Sequence, residues 1–444
     1  MKRLIFIVFL IPGLLIAQHT IKGVFTPAKE YNIALLYKVT PIISEYVANA
    51  EIQPDGSFEF KLDSTITKGV FRLVYAVPQE DYNFDILYNA KEDIELSFNS
   101  ETGVSYSQSV ENKLLSSYTT SMSMVTQSIG NYFRQNSGDT LALSSIFKTQ
   151  KETQLSYEEA AEGTIALEFI KANKPFTPKK ALDVKSYVSQ LKKHYFDHVD
   201  FNNSILQSSS FLDEKMLNYV FGMTTKSLDD TENYKANIDV VCNEMKDAPN
   251  EVKRILLYDL WQQMVDLKIE SVANYISEKY LMDIAVALND QELLHTLILY
   301  KDLSNGSEAP DFALGHQEQK NIDGKNLLDI NLAKTYVLVF WSTGCSHCLD
   351  EVPQLQEFMK SKNEIKVIAV ALEDEPSKWN ELSETYSEFI HVYGEGKWDN
   401  KIGDDYGITS TPTYFVLNKN KEIIAKPENF EGVQAFFEDS KKEE

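Results

Sequence analysis

The period of the apolar positions changes twice along the chain. Between residues 18 and 103, short runs such as HTIKGVF, NIALLYKV, SFEFKL, VFRLVYAV and DIELSF are rich in β-branched and aromatic residues, and several alternate apolar with polar positions. Alternation at period two marks a strand with one face buried. Pro54-Asp55-Gly56 separates two of the runs, a turn sequence that predicts a hairpin. Seven such runs, spaced by roughly ten residues, predict a small all-β sandwich or barrel.

From about residue 104 the apolar period lengthens. Segments such as ENKLLSSYTTSMSMV, PKKALDVKSYVSQLKKHYFDH and PNEVKRILLYDLWQQMVDL place apolar residues three and four apart, the stripe of an amphipathic helix. Pro175 and Pro178 separate two of the segments, because proline cannot continue a helical ladder. An all-α region of about seven to nine helices is expected over 104–303. The small, polar stretch SNGSEAP, residues 304–310, then marks a boundary. Beyond it TYVLVFW and IKVIAVAL read as buried strands and CSHCLDEVPQLQEFMKS and SKWNELSETYSEF as helices. ITSTPTYFVLN and KEIIAK read as two closing strands, and EGVQAFFEDSKK as a last helix. That order predicts a mixed sheet covered on both faces. The chain is therefore expected to be multidomain: an all-β sandwich (18–103), an all-α region (104–303) and an α/β domain (304–444).

The first residues, MKRLIFIVFLIPGLLIAQ, add a location. Lys2 and Arg3 precede an apolar stretch that ends at Ala17, the pattern of an export signal over 1–17 and of a mature protein in the periplasm or cell envelope. Leu15 stands where a small residue is usual, and an uncleaved anchor is the alternative, although the stretch falls short of the ~20 apolar residues of a spanning helix. Acidic residues outnumber basic ones 66 to 43, a net charge of −23. Such a balance argues against a nucleic-acid surface or attraction to anionic lipid.

Export changes how the three cysteines are read, since structural disulfides in an oxidising compartment come in widely spaced pairs. Cys242, in IDVVCNEM, falls on an apolar helix face and is expected to be a buried, inert thiol. Cys345 and Cys348 stand three apart at the start of a helix that follows a buried strand. Unsatisfied N–H groups and the positive end of the helix dipole would stabilise a thiolate at Cys345. Cys348, one turn on, should be more buried and attack the intermediate that Cys345 forms. So small a ring adds little as a staple, which makes the pair chemical. Haem attachment would need histidine where Leu349 stands, and a structural zinc site would need two further ligands. Soft-metal capture by Cys345, His347 and Cys348, as in a copper chaperone, remains an alternative. His194 and His198, with Asp197, would share a helix face, but Tyr195 replaces the glutamate of a zinc hydrolase. A partly exposed helix end is the expected reading there, and neither a metal nor a cofactor is assigned.

Residues 304–444 resemble an extracytoplasmic thioredoxin-like domain of the TlpA/ResA type. The resemblance rests on Ala309-Pro310-Asp311-Phe312, Phe340-Trp341, Cys345-Ser346-His347-Cys348, Glu351, Pro353 and Thr411-Pro412. The layout upstream is similar to that of Bacteroidetes-type exported thioredoxins. The resemblance implies a thioredoxin-like fold and a thiol-disulfide oxidoreductase, with Cys345 the attacking and Cys348 the resolving thiol. It implies that Glu351 is a buried acid that handles the resolving thiol's proton, and that Pro412 is a cis-proline facing the cysteines. Thr411 would offer backbone to a substrate chain, while Pro353 and Trp341 would be structural. The implied partners are proteins carrying disulfides or dithiols, and a membrane redox partner that recharges the pair. Two residues on the substrate-facing rim depart from the common pattern. Gly344 replaces an aromatic residue and opens the rim, and His347 replaces the commoner proline. The family implies a reductant, whereas a histidine at position 347 stabilises a thiolate and favours an oxidant.

Overall fold

The computed structural model describes residues 19–40, 44–79, 81–315, 322, 325–373 and 376–439; the expected export signal, 1–17, lies outside them. The chain divides into two compact units, the first ending at Leu260 and the second beginning at Trp261.

In the first unit the described residues form eight strands: β1 (His19–Phe25), β2 (Leu35–Val39), β3 (Ser44–Asn49), β4 (Ser57–Leu62), β5 (Gly69–Val74), β6 (Asn83–Tyr88), β7 (Ile94–Asn99) and β8 (Gly103–Gln108). They build two sheets, β4-β1-β7-β8 and β3-β2-β5-β6. The alternation read from the sequence is the reason they pair as a sandwich. In β4, Phe58, Phe60 and Leu62 are buried while Glu59 and Lys61 face solvent. Ile21, Phe60 and Leu96 of one sheet share a core with Leu36, Phe71 and Ile86 of the other, and burying each such side chain stabilises the fold by about 1.5–3 kcal/mol. The eighth strand, GVSYSQ, lies past residue 103, where helical sequence was expected. Its Val104 and Tyr106 alternate with serines and pack on the sandwich core, and the first helix begins only after Ser109, whose side chain caps the Asn112 N–H.

Helices follow: α1 (Val110–Arg134), α2 (Thr140–Ala160), α3 (Ala166–Ala172), α4 (Val184–Lys193), α5 (Ser204–Gln207), α6 (Phe211–Gly222), α7 (Asp230–Glu244), α8 (Asn250–Asp266), α9 (Glu270–Ile276), α10 (Met282–Leu288) and α11 (Gln291–Asp302). The division between the units falls within α8. More helices form than the sequence period suggests because α3, α5, α9 and α10 have seven residues or fewer, too few to display a period. No described helix is long and apolar enough to cross a membrane. Cys242 lies on α7 but is only half-buried, contrary to expectation, because Ile238 and Val241 take the buried face of that helix.

In the second unit, α9–α11 are followed by β9 (Thr335–Trp341), α12 (Ser346–Met359), β10 (Ile365–Glu373), α13 (Pro376–Thr385), β11 (Ile390–Glu395), α14 (Lys401–Asp405), β12 (Thr413–Asn418), β13 (Ile423–Ala425) and α15 (Phe430–Asp439). The sheet order is β11-β10-β9-β12-β13. β9, β10 and β11 are mutually parallel, while β12 runs antiparallel to β9 and β13 antiparallel to β12. β9 is apolar throughout because both its faces are covered. Val337, Val339 and Trp341 pack with Val352 and Leu355 of α12 and Val433 of α15. Tyr336, Leu338 and Phe340 pack on the other side with Leu303, Phe312 and Tyr406. This is the thioredoxin-like α/β arrangement that the sequence implied. The register pairs Trp341 with Ala371 and Glu373 with Glu395, so the carboxyl ends of the three parallel strands lie along one edge of the sheet. Both cysteines of the close pair follow directly from that edge.

Candidate active site

β9 ends at Trp341 and α12 starts at Ser346, so the intervening residues turn the chain at the carboxyl edge of the sheet. The turn is held from outside its own sequence. Glu373, 3% exposed at the end of β10, accepts the Thr343 N–H, and Lys378 donates to the Thr343 carbonyl at 2.7 Å. Cys345 then caps α12. Its Sγ accepts the Cys348 N–H at 3.4 Å, and its thiol donates to the Thr411 carbonyl at 3.1 Å.

The two sulfurs occupy different environments. Cys345 is partly exposed, while Cys348 is 0% exposed in a cluster with Trp341, Val352 and Tyr414. Partial burial opposes ionisation of Cys345. Hydrogen bonds from the Cys348 thiol, from Thr411 and from the N–H groups of Cys348 and His347 outweigh it, and its pKa falls below the ordinary thiol value. Burial first, and then the neighbouring Cys345 sulfur, push the Cys348 thiol up to about 12. The two thiols are thus shifted in opposite directions, Cys345 toward the thiolate and Cys348 toward the protonated form.

Glu351 sits on α12 one turn past Cys348, half-buried rather than fully buried. Its Oε2 accepts the Tyr414 hydroxyl at 3.0 Å and the Phe430 N–H at 2.7 Å. Tyr414, on β12, is 0% exposed. Burial raises its pKa, and so do the nearby charges of Glu351 and Cys348. The phenol therefore lies within electrostatic reach of both the carboxylate and the Cys348 sulfur, a link that reading the sequence did not supply. Glu373 was missed too. The only signal for it is an acid closing the apolar run VIAVAL at 367–372.

The remaining site residues surround this centre. The Thr411–Pro412 peptide is cis, and the Thr411 carbonyl faces Cys345. Pro353 lies inside α12. Gly344 is exposed, and a Cβ added there would meet only the Ser342 Oγ, at 3.6 Å. The His347 side chain is exposed and makes no hydrogen bond or ion pair among the described residues. No group of three or more His, Cys, Asp or Glu side chains among the described residues is placed to hold a metal ion. His194 and His198 do not share a helix face, because α4 stops at Lys193 and they lie in the turn beyond it.

Comparison with known proteins agrees with the fold. A family profile described as thioredoxin-like matches residues 333–423. A thiol-disulfide oxidoreductase ResA of Bacillus cereus is 30% identical over 124 residues, covering 27% of this chain and 68% of that protein. ResA of Bacillus thuringiensis (strain Al Hakam) is 29% identical over 127 residues, covering 27% of this chain. The chain spans 66% of the length of that relative. A thioredoxin-like protein from Bacteroides caccae, solved by crystallography, is 17% identical and covers 59% of this chain and 96% of its own, with a TM-score of 0.31. Through its C-terminal domain the chain belongs to the thioredoxin-like family of thiol-disulfide oxidoreductases that includes ResA.

Proposed function

We propose that the protein is an exported thiol-disulfide oxidoreductase that exchanges disulfides with proteins of the periplasm or cell envelope through Cys345 and Cys348, acting as a reductant. The observation that carries this reading is the contrast between the two sulfurs. Cys345 caps a helix with a lowered pKa at an accessible edge, and Cys348 lies beneath it, buried and protonated. The Cys345 thiolate attacks one sulfur of a substrate disulfide, forming a mixed disulfide and releasing the other substrate sulfur as a thiolate that takes a proton from water. Cys348 then gives up its proton and attacks Cys345 Sγ. The second substrate thiolate leaves, and two electrons have moved from the cysteine pair to the substrate. The proton of Cys348 passes toward Glu351, with the Tyr414 hydroxyl bonded to that carboxylate and within electrostatic reach of the sulfur. A dithiol donor at the membrane would return the pair to its reduced form.

Several features support the other assignments. The Thr411 carbonyl beside Cys345 offers the backbone acceptor that an extended substrate chain needs, and Pro412 holds that strand entry. Gly344 leaves the rim open for approach. The reducing direction rests on the resemblance to ResA-type proteins; the part of His347 that bears on the Cys345 thiol is its backbone N–H. Export rests on the pattern of residues 1–17. The test is Cys345→Ser: it should abolish reduction of an insulin-like disulfide substrate, and retained activity would remove Cys345 from the role of nucleophile.

A further inference from the structure

A second candidate site lies in the first unit, and no cysteine lines it. A cavity of about 530 Å³ opens between one face of α2, the extended segment 174–180 and the turn 194–198. Pro175 and Pro178 keep the segment KPFTPKK out of helix, and Thr177 ties it to the buried Gln150 through a 2.8 Å hydrogen bond. Phe176 stacks on the His194 ring at 4.8 Å and 9°, giving the cavity a flat wall.

The lining is strongly basic in a chain of net charge −23. Lys148, Lys151, Lys174, Lys179 and Lys180 all border the cavity, against one carboxylate, Asp197. Asp197 is already engaged with His194 Nδ1 at 2.7 Å. Lys174 pairs with Glu158 at 3.0 Å and Lys148 with Glu152 at 3.7 Å. Lys151, Lys179 and Lys180 have no acidic partner among the described residues. Lys151, Lys179 and Lys180 are exposed residues bordering one concave space, and like charges so placed repel each other, which favours an anion between them. The volume falls within the ~300–1,000 Å³ usual for small-molecule sites.

We propose that this cavity binds a small molecule carrying two or more phosphate or sulfate groups, with Lys151, Lys179 and Lys180 as its main charge partners. Lysine suits this chemistry, as a strongly hydrated point charge that tolerates many anion geometries. Net charge argues against a nucleic-acid surface, but it does not bear on a local basic pocket of this size.

Calorimetric titration of the full chain with sodium tripolyphosphate, and separately with sucrose octasulfate, at low salt tests the proposal and tells phosphate from sulfate. Saturable one-to-one binding of either probe is expected, weakening at least about tenfold in a K179Q/K180Q double variant and also in K148Q/K151Q. A K29Q/K226Q control removes two exposed lysines outside the cavity and should bind like the parent. Absence of saturable binding by both probes overturns the proposal. So does equal weakening in the control, which would mean diffuse attraction to surface lysines.

Discussion

Replacing Tyr414 with phenylalanine separates the two chemical steps assigned to the cysteine pair. The ring is 0% exposed and packs in the cluster that holds Trp341, Cys348 and Val352, so phenylalanine keeps the packing and removes only the hydroxyl. What is lost is one hydrogen bond of 3.0 Å to Glu351 Oε2. A hydrogen bond to an ionised acceptor contributes about 1.5–3 kcal/mol. Glu351 is half-buried and keeps the Phe430 N–H at 2.7 Å, which places the stability loss at the lower end, about 1.5 kcal/mol. The kinetic effect should be of similar size, about 1.4 kcal/mol or more, and confined to one step. Positioned proton transfer accelerates a reaction by about 10²–10⁴-fold, and loss of one member of the Glu351–Tyr414 pair should slow attack by Cys348 at least about tenfold. Stopped-flow reaction with an aromatic disulfide that releases one coloured thiolate per step resolves the two phases. The first phase, attack by Cys345, should be unchanged in Tyr414→Phe, and the second slowed. An unchanged second phase, or equal slowing of both, would refute the proton route.

Two further outcomes follow from the same geometry, and a third from the sandwich. Because the Cys345 pKa is lowered, its rate of alkylation by iodoacetamide should rise with pH and reach half its plateau below the ~8.5 of a free cysteine. Cys348, pushed up to about 12, should remain unmodified across that range; a midpoint at or above the free value would remove the primed thiolate. Gly344→Ala should leave stability unchanged in denaturant unfolding, since the new Cβ meets only the Ser342 Oγ at 3.6 Å. Gly23→Ala should cost about 1–3 kcal/mol in the same measurement. There the Cβ would come within 2.2 Å of the Phe58 ring, which is itself stacked on Phe25 at 4.6 Å and cannot swing clear.

The architecture was legible wherever a periodic pattern was long enough to read. SFEFKL alternates because one face meets the other sheet, and TYVLVFW is continuous because both its faces are covered. β8 was hidden because Val104 and Tyr106 are its only apolar residues and the helical stripe of α1 begins a few residues later. The cysteine pair declared itself through spacing and its place between strand and helix. Its supporting residues did not, since Glu373 and Tyr414 reach the site through sheet register. Register brings residues far apart in the chain together and leaves no local periodicity. The paired histidines misled in the opposite way. Four-residue spacing implies a shared face only on a helix, and α4 ends one residue before His194.

The reduction potential of the Cys345–Cys348 pair tests the central proposal most directly. The protein would be equilibrated in defined glutathione and dithiothreitol buffers, and the oxidised fraction followed by thiol trapping. A reductant should titrate as a two-electron couple near the thioredoxin value of about −270 mV. A potential near the roughly −120 mV of strong oxidants, about 7 kcal/mol away at ~1.4 kcal/mol per 30 mV, would contradict it.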